Sequence, residues 1–247
     1  MRDHPTGVEC RSFGGWPWLG LFAAIVGISP ALADCGHPRV VVHATAEDRD
    51  NACSALTDVL NFFAKGGLVI EPELTIRFRR EVYVELVNPI TREATRVRVS
   101  GFYRESTKEL QMTDSSSPWA GQRRPWGLAW DAQVSRSILQ HEIVHAIVAQ
   151  LMGGTYARLP RSWHEALAYA VQIDLMPDDL RHQVVSQYPR EEGFATTLQI
   201  NDVTYAMNPD AFAVAAYKIY VRDGRINFLK AAMALRLEII DLENYLR

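Results

Sequence analysis

The chain has 247 residues, of which 48% are hydrophobic, 22% charged and 10% aromatic. That balance excludes a disordered or collagen-like polypeptide and suffices for one sizeable core. Twenty-six Lys plus Arg against 29 Asp plus Glu leave a formal charge of -3, so the basic excess that phosphate binding demands is missing and nucleic acid is not an expected partner. Three cysteines, none spaced C-x-x-C, fit neither a zinc ribbon nor a thioredoxin-type redox pair.

Residues 16–33 read WPWLGLFAAIVGISPALA behind Arg2 and Arg11, ending in the small-x-small triplet Ala31-Leu32-Ala33. A compact apolar run broken by Gly27 and Pro30 reads as a secretory signal over 1–33, not as a permanent span of about twenty residues. An uncleaved anchor is the alternative. The expected location is periplasmic or secreted, with no stable membrane insertion after cleavage. Cleavage removes Cys10 and leaves Cys35 and Cys53 in an oxidising compartment, where they are expected to pair. Closing a loop of roughly 18 residues in this way is worth about 3 kcal/mol in the chain-entropy model.

The remainder, 34–247, reads as one α+β domain with a strand-rich lobe (34–130) and a helical lobe (131–247). RVVVHA at 39–44 predicts a strand, and residues 47–65 repeat Ala52, Leu56, Leu60 and Phe63 at helical spacing before Gly66-Gly67. Short β-rich runs follow at 74–79, 82–87, 96–103 and 109–112, predicting a small, mainly antiparallel sheet. Residues 113–130 hold three tryptophans among Ser, Pro and Gly, a loop with apolar anchors that either roofs a cleft or simply packs. From there the pattern turns helical. Asp131 caps a helix to about Met152, a second runs from about 161 to 175, and a third opens at Asn208-Pro209 and ends at Gly224, followed by one or two more.

Within the first of these helices, His141, Glu142 and His145 form H-E-x-x-H. At 100° per residue the two histidines share a face one turn apart, so both imidazoles can grip one metal ion, and Glu142 stands beside it. Ile138, Leu139, Ile143, Val144, Ile147, Val148 and Leu151 surround them, predicting a helix buried nearly all round. An uncompensated carboxylate and two imidazoles there would be costly, whereas a divalent cation compensates all three. A buried Glu-His ion pair without metal is the plain alternative. A catalytic zinc needs a third protein ligand and an open fourth position. Twenty residues beyond His145, SWHEALAYAV offers Glu165, with His164 competing and Asp174 a distant third. The intervening LMGGTYARLPRS reads as a reversal.

H-E-I-V-H with Glu165 downstream resembles the gluzincin clan of metallopeptidases, and LPRSWHEALAYA is similar to a segment of small bacterial peptidase-MA-like proteins. The similarity spans roughly residues 100–235. It implies a zincin-like fold with a metal cleft between the two lobes, His141, His145 and Glu165 as zinc ligands, and Glu142 as general base. It also implies Tyr205 as the donor that stabilises a tetrahedral oxyanion, with Tyr217 and His182 as alternatives. By the same resemblance, ELQM at 109–112 would be the edge strand that pairs with an extended peptide; an inner strand is the alternative. Tyr169 occupies the position where thermolysin-like enzymes carry an aspartate behind the metal ligands. The expected function is a secreted, zinc-dependent peptidase acting on a peptide or protein. The rival is a non-catalytic zincin-like protein whose metal is structural or whose cleft binds a partner. A fourth ligand such as His164 would favour that rival.

Overall fold

Alternation in VVVH buries Val40 and Val42, and this strand, β1 (Val40–His43), opens the folded chain. The computed structural model describes residues 35–235 apart from 88–90, 121, 123 and 190–192; the secretory signal expected over 1–33 lies outside the described residues. Helix α1 (Ala46–Lys65) begins at Thr45, whose side chain accepts from the Asp48 amide, with Glu47 and Asp48 in the first turn, where the helix dipole favours negative charge. Its Ala52, Leu56, Val59 and Phe63 are buried at the predicted spacing. Cys35 and Cys53 form a disulfide that ties the chain ahead of β1 to α1.

The sheet corrects the sequence expectation. Strands β2 (Leu74–Arg79), β5 (Gly101–Arg104) and β6 (Glu109–Thr113) join β1 in the order β1-β2-β6-β5. Two of its pairings, β1 with β2 and β2 with β6, are parallel, and β5 with β6 alone is antiparallel. The sheet is therefore mixed, not mainly antiparallel. The reason is a chain that leaves the sheet twice: α1 carries it from β1 to β2, the crossover that parallel neighbours require, and a separate antiparallel hairpin, β3 (Val82–Val87) with β4 (Ala94–Val99), intervenes before β5. The single run expected over 96–103 is split at Ser100, its first part in the hairpin and its second in the sheet. The expectation that 109–112 forms an edge is also overturned. β6 is the alternative inner strand, between β2 and β5, and the edges of the sheet are β1 and β5.

Helix α2 (Ala132–Met152) starts at Asp131, whose carboxylate accepts from the Val134 amide at 2.8 Å. Leu139, Ile143, Val144, Ile147 and Val148 are all buried, on more than one face, as α2 packs against α1, β5 and α3 (Arg161–Leu175). A 3-10 segment, Gly153–Arg158, makes the expected reversal between α2 and α3. The short helices α4 (Asp178–Ser186) and α5 (Asp202–Met207) precede α6 (Pro209–Arg222), which opens with the predicted Asn208 cap and first-turn proline; α7 (Ile226–Met233) follows. One buried cluster takes residues from both halves, from Val42 and Leu56 to Ile147, Ala170 and Phe228. The architecture is thus mixed, with α1 among the strands of the first half and the other helices after them, compatible with the α+β class expected. Among the described residues no helix is long and apolar enough to cross a membrane.

Candidate metal centre

The i, i+4 spacing on α2 brings the Nε2 atoms of His141 and His145 to 3.1 Å from each other. From α3, Glu165 places Oε2 3.5 Å from His141 Nε2 and Oε1 4.0 Å from His145 Nε2. One donor atom from each residue lies within 4.8 Å of the other two, so this group could hold a metal ion. Of the side chains expected as ligands, these three are brought together. His164 is turned aside: its ring stacks on Tyr156 at 4.1 Å, and its Nε2 is 3.2 Å from the Tyr156 carbonyl oxygen. Asp174 binds Arg225 and the Tyr220 hydroxyl instead.

The electrostatics of the three donors are coupled. Burial alone would lower the pKa of His141, but its contact with the Glu165 carboxylate, aided by the charge of Glu142, raises it above the ordinary histidine value. Burial and the neighbouring His141 push His145 down to about 3. Burial works against the Glu165 charge, yet hydrogen bonding to His141 and the nearby imidazoles hold its carboxyl down at about 2. Of the two imidazoles, His141 is therefore the one that favours a proton, and Glu165 the group that favours its charge. A cation held by these three residues would compete with the His141 proton.

These residues line a cleft of about 890 Å³ together with Glu142, Gly101, Arg161, Tyr156 and Tyr205. Glu142 is half-buried beside the edge strand. A Cβ at Gly101 would lie 2.7 Å from Glu142 Cγ and 2.5 Å from Met112 Sδ, so β5 approaches this close only because residue 101 has no side chain. Tyr205, on α5, lines the cleft with its ring against Phe212 and the Arg161 guanidinium 5.7 Å from its centroid. The two alternatives to it do not reach the cleft: His182 is exposed on α4, and Tyr217 packs on α6 beside Arg225 and Asp174. Trp126 from the tryptophan-containing loop is buried and also borders the cleft, its amide bonded to Asp210. Both readings of that loop, packing and cleft wall, hold for Trp126.

Sequence reasoning missed three participants. Gly101 sits in a β-rich run where nothing local marks its closeness to Glu142. Tyr156 was hidden in the reversal. Gln172 accepts a hydrogen bond from His141 Nδ1 at 3.0 Å, while Tyr169, at the position where an aspartate was the reference, lays its ring against that of His141 at 4.5 Å. The signal for Gln172 was its helical phase: it lies seven residues after Glu165, two turns along one face.

These residues lie within the segment 40–236, which a family model matches. The chain belongs to the family of unknown function DUF6639. The match takes in every strand and helix described above, the three donors, Glu142 and Tyr205 included. No curated protein and no solved structure matches the chain.

Proposed function

We propose that this member of the family is an exported zinc-dependent peptidase of the gluzincin type, acting on peptide or protein substrates. The observation that carries the reading is the convergence of His141, His145 and Glu165 in the cleft that Glu142 also lines. Zinc bonds of about 2.0–2.2 Å at tetrahedral angles separate neighbouring donors by roughly 3.3–3.6 Å. The imidazole nitrogens, 3.1 Å apart, are close to that demand, whereas the 3.5 and 4.0 Å contacts use different oxygens of Glu165 and a single-oxygen donor set spans up to 4.8 Å, so the carboxylate would turn inward on binding. Three protein donors leave the fourth position for water, the pattern of catalytic and not structural zinc, and His164 is engaged with the Tyr156 carbonyl instead. Bound there, zinc would lower the pKa of a water towards about 7 and polarise a substrate carbonyl.

The chain's own residues then have defined tasks. Glu142 takes the proton of the attacking water and returns it to the leaving amine. Tyr205, on the cleft wall, is the candidate to donate to the developing oxyanion. An extended substrate adds to the outer edge of β5, whose other edge is paired with β6. The Cys35–Cys53 disulfide supports export to an oxidising compartment, periplasmic or extracellular.

The deciding comparison is zinc content and peptide hydrolysis of residues 34–247 beside His145→Ala and Glu142→Gln. The wild type is expected to carry about one zinc per chain, the number a single three-donor site holds. His145→Ala should lose it, and Glu142→Gln should keep it while hydrolysis falls by about 10²–10⁴. A wild type that takes up no zinc on reconstitution, or Glu142→Gln with full turnover, defeats the reading.

A further inference from the structure

Three polar side chains lie in series between α2 and α3, amid apolar neighbours: His141, Gln172 and Ser137 are 7%, 1% and 2% exposed. Burial of an amide and a hydroxyl costs free energy unless every group finds a partner. Here the partners form a line. Ser137 Oγ donates to the Val134 carbonyl oxygen at 2.8 Å, Gln172 Nε2 donates to Ser137 Oγ at 3.2 Å, and Gln172 Oε1 stands 3.0 Å from His141 Nδ1.

The polarity of this line follows from its first member. A backbone carbonyl oxygen only accepts, and a serine hydroxyl has one proton, which the shorter bond to Val134 consumes. Ser137 can then only accept from Gln172, so the glutamine must present its NH₂ to Ser137 and its carbonyl oxygen to His141. That oxygen in turn requires a proton on His141 Nδ1. When one proton remains on the ring, it is therefore held at Nδ1, and the lone pair is left on Nε2, the atom that faces His145 and Glu165.

We propose that Ser137 and Gln172 are positioning residues for the metal centre: together they select the His141 tautomer and ring orientation that offer Nε2 to the cation. The inference rests on the metal reading above and adds two residues to it. It also bears on the strength of the centre. A carboxylate behind a ligating histidine raises its basicity, whereas a neutral amide orients the ring without adding that charge. The line thus fixes the donor geometry without placing a second carboxylate charge behind the ring.

The test is a chelator-competition titration of zinc into the wild type, Gln172→Leu, Gln172→Glu and Ser137→Ala. Nitrogen-15 spectra of the His141 ring are recorded for each zinc-loaded protein, and thermal unfolding for each metal-free one. Loss of a group that orients a ligating histidine typically lowers metal affinity 10–100-fold, and about that loss is expected for Gln172→Leu. Ser137→Ala, which frees the amide to turn over, should lose several-fold and show faster exchange of the Nδ1 proton. Gln172→Glu keeps an acceptor in place and should stay within a few-fold of the wild type. If the wild type binds zinc and both Gln172→Leu and Ser137→Ala bind it equally well, with the Nδ1 proton unchanged, the inference is overturned while the metal reading stands. If the wild type binds no zinc, both fall. Loss of unfolding temperature without loss of affinity in the variants that remain folded would assign the line to packing alone and overturn the inference.

Discussion

Along α2, Ile143, Val144 and Ile147 are fully buried, and this helix carries two of the three residues that could hold a metal ion together with Glu142. The β3–β4 hairpin also contributes Tyr83, Glu85 and Leu86 to the lining of the cleft, yet its outer part is open to solvent, with Leu86 45% and Val87 56% exposed. One wall is held by packing on α1, α3 and β5; the hairpin is held chiefly by the pairing of its own two strands. Chemistry that depends on donor positions within tenths of an ångström belongs on the first kind of wall. A surface that meets varied substrates can be built on the second, where substitutions carry little stability cost.

The sharpest way to break this comparison is a stability measurement. Ile147→Ala in the centre of α2 should cost about 3 kcal/mol, within the 2–5 kcal/mol typical of buried truncations to Ala, read as a shifted urea midpoint of the metal-free protein. If Ile147→Ala costs nothing, α2 is not the rigid wall described. Next in size is Gly101→Ala, which drives a Cβ towards Glu142 Cγ and Met112 Sδ. Misplacing a reacting group by about 1 Å costs on the order of 10² in rate, so kcat should fall by about that factor with zinc content retained. Unchanged kcat would separate Glu142 from the strand that presses on it.

Acidification comes third. His141 holds its proton above the ordinary histidine pKa of 6.5, Glu165 stays ionised to about 2, and His145 stays neutral to about 3. Between about pH 3 and 6.5, therefore, zinc displaces one proton, the one on His141, and its affinity should fall about tenfold per unit of pH lowered. A slope near two in a competition titration would mean that His145 is protonated as well. The smallest effect is expected on the hairpin: Leu86→Ala should change stability by less than about 0.5 kcal/mol, with any activity change appearing in KM before kcat. A Leu86→Ala cost comparable to that of Ile147→Ala would erase the distinction between the two walls.

Much of the helical half was legible because its signals are local. Asp131 and Asn208 cap where expected, since a side-chain oxygen reaching an amide three residues on needs no distant partner. Helix α4 was overlooked for the converse reason. It follows Pro177 with no side-chain cap and buries only Leu180 and Val184, too few apolar positions to announce a periodic face. The strand-rich half shows the same limit more strongly. The strand runs were visible, but the order β1-β2-β6-β5 and the break at Ser100 depend on pairings between segments far apart in the chain.

By itself the sequence determined that His141 and His145 share a face and that Glu142 stands beside them, because the helical period is set within four residues by the backbone. The pairing of Cys35 with Cys53 was also anticipated, since two cysteines in one oxidising compartment leave a single intramolecular choice. Only the tertiary structure decided that Glu165 and not His164 turns to the pair, that Gln172 and Ser137 stand behind it, and that β5 and not β6 borders the cleft. Those outcomes follow from the rotation of α3 against α2 and from non-local strand pairing, which are settled by the packing of the whole core.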